Sequence, residues 1–216
     1  MERIVTEADL VRALDELEAA DSRLAPVRTR AGKVELRLSE PTFNSLASIV
    51  IGQQVSRASA QAMLNRLHEL VQPLTAPQLL SSDPELLIRA GLSRAKQRTL
   101  LSLASAVEVD GLNLTALVEL PSVEAIEALV RLPGIGPWTA EVFMLTSGHP
   151  DIFPSRDVAL QEAVRQGLNL DGRPDAHALA STAKAWQPWR SVAARLFWAY
   201  YRELKGRDAI PISETA

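Results

Sequence analysis

Hydrophobic positions recur at helical spacing along nearly the whole chain. Thr6 stands where a helix N-cap belongs, and Leu10, Ala13, Leu14 and Leu17 then fall on one face, which predicts a helix over 6–20. Pro41 introduces a second helix with Phe43, Leu46, Ile49 and Val50 inward. It is interrupted at Gly52-Gln53-Gln54, after which Ser56 caps a helix running to about Val71. Further helices are predicted at 76–82, at 84–90 closed by Gly91, at 94–108 and at 114–120. Pro121-Ser122 starts another through Arg131, with Val123, Ile126, Leu129 and Val130 on its buried side. Leu132-Pro133-Gly134-Ile135-Gly136 then breaks the chain, and Pro137 sits where the first helical position tolerates it. After a polar loop at 147–156, Asp157 begins a helix, and two more follow at about 175–186 and 189–205. Only residues 28–40 alternate with a period of two, at Val34, Leu36 and Leu38, and these read as a short extended piece. The pattern, with brief Pro, Gly and Ser connections and no internal repeat, predicts an all-α fold in two lobes.

Composition narrows the chemistry. An apolar content of 47% over 216 residues is ample for a core. The absence of cysteine excludes disulfides, thiolate catalysis and an iron–sulfur cluster, and three histidines (His68, His149, His177) leave little material for zinc. Reactive groups must come from carboxylates, hydroxyls or lysine. The first twenty residues are acidic and amphipathic, unlike a signal peptide, and no run approaches the ~18 apolar residues of a membrane span. The expectation is a soluble cytoplasmic monomer with no membrane partner, nucleoid-associated if bacterial.

A net charge of −3 looks wrong for a nucleic-acid binder, but the acids are segregated. Seven of them (Glu2, Glu7, Asp9, Asp15, Glu16, Glu18, Asp21) crowd the first 21 residues. Two later windows hold none: Leu86 to Val107, with Arg89, Arg94, Lys96 and Arg98, and Ala176 to Arg202, with Lys184, Arg190, Arg195 and Arg202. Each window is either a cationic DNA-facing surface or an ordinary solvated helix face.

The strongest local signal is Leu132-Pro133-Gly134-Ile135-Gly136-Pro137-Trp138-Thr139-Ala140 between two amphipathic helices. A turn this tight needs positive φ and close approach, which two glycines supply, while Ile135 plugs back into the core. The amides of Gly134 and Gly136 and the free N–H groups of the next helix then form a phosphate-sized anion site that reads no bases. The carbonyls of Val130, Leu132 and Ile135 could hold a monovalent cation, Na+ or K+, beside the phosphate. A bare Gly-x-Gly would be only a helix corner; the full string between helices favours DNA-backbone binding.

Through that hairpin and three further elements, the chain resembles the helix-hairpin-helix DNA glycosylases (the HhH-GPD superfamily), and among them the 3-methyladenine DNA glycosylase II, or AlkA-like, branch. The likeness covers about residues 40–205 and rests on four elements in the family's order and spacing. These are Ile51-Gly52-Gln53-Gln54-Val55-Ser56, the hairpin Leu132 to Ala140, the loop Phe153-Pro154-Ser155-Arg156-Asp157-Val158, and Trp186-Gln187-Pro188-Trp189-Arg190-Ser191 leading to Trp198. The resemblance implies a single helix-hairpin-helix glycosylase unit over 1–216. Its lobes would be 42–131, and 1–41 with 132–216, the latter carrying the hairpin and the catalytic residue.

The resemblance makes Asp157 the catalytic carboxylate. Cleaving an N-glycosidic bond builds positive charge on the sugar, which a carboxylate stabilises while positioning water. Taken alone, Asp157 also reads as an N-cap, and the two roles are compatible. Family members that cut the strand carry a Lys nucleophile two residues past the second hairpin glycine. Trp138 stands there here, so no Schiff base forms and the enzyme is monofunctional, without AP lyase activity. Trp138 and Trp198 match aromatics of the base pocket, where an electron-poor alkylated purine gains about 0.5–2 kcal/mol over an indole face. The alternative for both is core packing, the reading preferred for Trp186 and Trp189. Gln54 matches the residue that fills the gap left by a flipped base, with Gln53 in support, and reads equally as part of a polar helix break. Gly134, Gly136 and Thr139 match positions that grip phosphate.

The implied partner is double-stranded DNA containing alkylated bases, with hydrolysis of 3-methyladenine or 7-methylguanine by base flipping initiating base excision repair and no cofactor required. Two departures stand out. Roughly forty residues before the helical core are too few for the branch's extra N-terminal α/β domain, and a Tyr position of the pocket is Val142, which leaves the base spectrum open. The competing readings are a non-catalytic helix-hairpin-helix DNA-binding module and a glycosylase for mismatched or oxidised bases.

Overall fold

The computed structural model describes residues 3–206. Among them there is no strand: the elements are α-helices and one 3₁₀ turn, an all-α fold as the periodicity predicts. The described residues divide into two compact units, 3–38 with 144–206, and 39–143. The division falls after Phe143, so the glycine hairpin lies with the helices that precede it.

The first unit comprises α1 (Glu7–Ala20), α2 (Leu24–Ala31), α11 (Val158–Gly167), α12 (Ala176–Ala183), the 3₁₀ turn Lys184–Trp186 and α13 (Arg190–Lys205). α1 opens with a capping box: the Thr6 hydroxyl accepts from the Asp9 amide at 3.1 Å and the Asp9 carboxylate accepts from the Thr6 amide at 2.9 Å. Its apolar stripe Leu10, Ala13, Leu14, Leu17 is buried as predicted. α13 is the axis of the unit, buried without interruption from Ser191 to Tyr200 and packed against α11, α2 and α1.

The extended piece expected at 28–40 is not a strand. Its first residues complete α2, whose buried Leu24, Val27 and Ala31 follow helical spacing, with Pro26 in the first turn where a proline costs no hydrogen bond. Beyond it the alternation is real in burial, since Val34 and Leu36 are 8% exposed, but no ladder pairs with it. Arginines of α13 take its carbonyls instead. Arg195 donates to the carbonyls of Leu36 and Arg37, and Arg202 to that of Lys33 at 3.0 Å.

The second unit comprises α3 (Phe43–Gly52), α4 (Arg57–Leu70), α5 (Ala76–Ser81), α6 (Glu85–Arg89), α7 (Arg94–Glu108), α8 (Leu114–Leu117), α9 (Ser122–Val130) and most of α10 (Pro137–Thr146). α3 is its spine: Leu46, Ala47, Ile49, Val50 and Ile51 are fully buried, and it packs on α4 and α7. Ser56 caps α4 as predicted, accepting from the Ser59 amide at 3.2 Å. In α9 the buried face is Ala125 and Leu129, whereas Val123 and Val130 are exposed.

Candidate active site

In the second unit, α9 and α10 are joined by the glycine corner. Ile135 is 3% exposed, the plug the sequence suggests, and its amide donates to the Leu132 carbonyl at 3.1 Å, closing the turn. The two glycines are not equivalent. Gly134 has φ +82°, and a Cβ built on it would lie 1.9 Å from the Thr99 hydroxyl oxygen of α7, so both backbone and packing demand glycine. Gly136 has no left-handed φ and open space around it, so the fold does not require a glycine there. The first intrahelical bond of α10 runs from the Ala140 amide to the Gly136 carbonyl at 3.1 Å, leaving the preceding turn as the end that carries helix-terminal N–H groups.

The turn between α3 and α4 carries the two glutamines. Gln54 is exposed and adopts φ +56°, a left-handed conformation that a non-glycine residue holds only when its surroundings impose it. Gln53 is pinned to the hairpin, its amide nitrogen donating to the Thr139 hydroxyl at 2.8 Å and to the Gly134 carbonyl at 3.2 Å. Thr139 is 2% exposed, and its hydroxyl braces Gln53. Gln53 thereby ties the turn to the hairpin, in line with a supporting place beside Gln54. Trp138 is half-buried and Val142 fully buried.

In the first unit, Asp157 is the N-cap of α11. Its Oδ1 accepts from the Leu160 amide at 2.9 Å and from the Trp198 indole N–H at 3.4 Å, and the residue is 7% exposed. The cap geometry and the indole together fix the carboxylate's direction. Trp198 is 1% exposed, so what the structure gives it is an orienting bond to Asp157 within a buried setting, not an open stacking face. The loop leading to Asp157 is clamped by the start of α13. The Ser191 hydroxyl accepts from the Ile152 amide at 2.9 Å and donates to the Ile152 carbonyl at 3.1 Å. Arg190 forks onto the Asp151 carboxylate at 2.5 and 2.9 Å. Trp186 is core, stacked obliquely on Phe153 and Phe197, and its indole donates to Asp21 at 3.0 Å. Trp189 is half-exposed, its indole tied to Glu16 at 2.6 Å, so it straps α1 to the loop and does not fill the core.

This unit's arginine-rich window is therefore largely committed within the unit, with Lys184 left exposed. Arg190, Arg195 and Arg202 are spent on a carboxylate and on backbone carbonyls, and burial pushes Arg195 down to about 10. In the other window Lys96 is buried, while Arg89, Arg94 and Arg98 remain exposed. Sequence reasoning missed the clamp residues Ser191 and Arg190 and the helix-capping Lys96. A serine beside a long buried helix and a lysine at an apolar helix position were the available signals.

The sequence profile described as HhH-GPD superfamily base excision DNA repair protein matches residues 47–189, which include the hairpin, Asp157 and both glutamines. The chain belongs to this superfamily. Among solved structures, this HhH-GPD chain is similar to a DNA-3-methyladenine glycosidase from Bacillus halodurans, with 31% identity, a TM-score of 0.78, and coverage of 98% of this chain and 97% of that one. It is 34% identical to AlkA of Mycobacterium tuberculosis over 69% of this chain and 31% of that protein. It is 27% identical to DNA-3-methyladenine glycosylase 2 of Escherichia coli over 72% of this chain and 54% of that protein. The chain spans between about a third and three fifths of the length of the first curated relatives it matches. No helix among the described residues is long and apolar enough to cross a membrane.

Proposed function

We propose that this HhH-GPD protein is a monofunctional DNA glycosylase that hydrolyses the N-glycosidic bond of alkylated purines, of the 3-methyladenine and 7-methylguanine type, in duplex DNA. Acting as a monomer, it takes the base out of the stack, with exposed Gln54 filling the gap and Trp138 offering an indole face to the electron-poor ring. The corner at Gly134 and Gly136 and the first turn of α10 receive the phosphate backbone. The carbonyls of Val130, Leu132 and Ile135 would hold a monovalent cation there, supplying only charge neutralisation. Asp157 stabilises the oxocarbenium-like sugar and directs a water molecule onto it; the alkylated base departs without a general acid. No amine stands at position 138 to form a Schiff base.

The observation that carries the reading is the Asp157 carboxylate, nearly buried yet aimed by the Leu160 amide and the Trp198 indole. Asparagine caps a helix as well as aspartate does, so Asp157→Asn removes the charge and keeps the fold. Base release from single-lesion duplexes is expected to fall by at least about 100-fold with affinity kept. Abasic sites made by the parent protein should break only after alkali. Base release unchanged in Asp157→Asn sinks the assignment, and breaks without alkali sink its monofunctional part. DNA affinity with no base release at all would identify a non-catalytic binding module instead.

A further inference from the structure

We propose that Lys96 is a positioning residue for the Gln53-Gln54 turn, and that α7 locks this turn and the glycine corner into one register through Lys96 and Thr99. The inference rests on the glycosylase reading only for what the turn is used for; the positioning itself stands on contacts within one unit. Lys96 is 9% exposed, and its Nζ donates to the Ile51 carbonyl at 2.7 Å. That carbonyl belongs to the last turn of α3, where no intrahelical amide is available, and the negative end of the helix favours a cation. No carboxylate among the described residues pairs with the ammonium, and burial pulls its pKa below the usual lysine range.

An unpaired buried cation is a costly way to fill a core position that methionine would fill as well. Its distinctive contribution is the fixed end of α3, after which the chain must pass within two residues through Gln53 at φ −58° to Gln54 at φ +56°. One helical turn further along α7, Thr99 lies against the Gly134 Cα, and Gln53 closes the triangle by donating to the Gly134 carbonyl and the Thr139 hydroxyl. Three contacts thus hold the exposed glutamine at a set distance from the phosphate-binding corner.

The test compares the parent chain with Lys96→Met, which keeps the volume, and Lys96→Arg, which keeps a donor and a charge. Amide hydrogen exchange in 51–56 is expected to quicken by about tenfold in Lys96→Met while α11 to α13 stay unchanged, and Lys96→Arg should restore much of the protection. On a duplex with 2-aminopurine beside the lesion, the same variant should lose unstacking and single-turnover base release together, with duplex affinity kept within about threefold. Unchanged exchange at 51–56, or exchange that rises equally across both units, overturns the proposal. If the parent protein releases no base, the glycosylase reading fails while the exchange result still decides the role of Lys96.

Discussion

The corner-bearing unit and the carboxylate-bearing unit prepare their functional groups by different means. At the corner the groups that the proposed reading uses are backbone amides, and the fold there has a required glycine at Gly134, a plug at Ile135 and a brace from Gln53. At Asp157 the group proposed to act is a side chain, and the fold holds the loop before it with side-chain-to-backbone bonds from α13. A backbone site is tolerant of what lies outside it but has no room for an added atom where it is braced, as at Gly134. A side-chain site is the reverse: it depends on distant residues that never touch a substrate.

The sharpest way to break this contrast is at Gly134. Alanine there must adopt φ +82° and meet Thr99, whose β-branched side chain is stiff in a helix and already bonded to the Ala95 carbonyl at 3.1 Å. A left-handed alanine and overpacking together cost roughly 2–5 kcal/mol. Urea unfolding of Gly134→Ala should show that loss; a midpoint within error of the parent would mean that the corner is not braced by α7.

Next in size is Ser191→Ala in the other unit. It leaves both polar groups of Ile152 without their buried partner, for a loss of about 1–3 kcal/mol. Base release should fall with it while duplex affinity holds, because the disturbed loop carries Asp157 and not the hairpin. Equal losses in binding and release would show that the two units do not divide the work in this way.

How much of this was legible in the sequence follows the same division. Turns and caps announce themselves through residue types that have few other uses, so the corner Leu132 to Gly136, the helix break at Gln53-Gln54 and the N-cap Asp157 could be read directly. Side-chain clamps do not. Arg195 and Arg202 read as surface cations because nothing local reveals that carbonyls of Lys33, Leu36 and Arg37 wait for them, and their absence from the reading made 28–40 look like a strand. Nor does any local pattern show that Thr139 and Trp198, matched by family position to phosphate and base contacts, are buried with the Thr139 hydroxyl bonded to Gln53 and the Trp198 indole to Asp157. Val123 and Val130 failed for a simpler reason: helix phase was chosen by bulk, whereas the buried face is Ala125 and Leu129.

The glycine that the fold does not need sharpens the comparison further. Gly136→Ala meets nothing within 4 Å and needs no special φ, so stability should change by less than about 0.5 kcal/mol. If its amide serves an external phosphate, the new methyl stands in that approach, and duplex affinity should fall about tenfold, the worth of one charge-assisted hydrogen bond. Unchanged affinity in a salt titration would move the phosphate contact to Gly134 and α10 alone.

The smallest effect is a pH dependence in the carboxylate-bearing unit. His149 sits in the loop before Asp157, and its Nδ1 accepts from the Asp151 amide at 3.2 Å, which requires that nitrogen to be unprotonated. Burial holds its pKa below the usual histidine value; Asp151 opposes this, and Arg190 and Arg3 reinforce it. In the unfolded chain the ring titrates near 6.5. Stability gained by keeping it neutral is therefore fully present above about pH 6.5 and drains away as pH falls through the lower folded value, because the unfolded state then binds more protons. His149→Asn supplies a carbonyl acceptor in place of Nδ1 but cannot titrate, so its unfolding free energy between pH 7 and 5.5 should fall less steeply than the parent's. Identical slopes would show that His149 is not the group that senses acid in this loop.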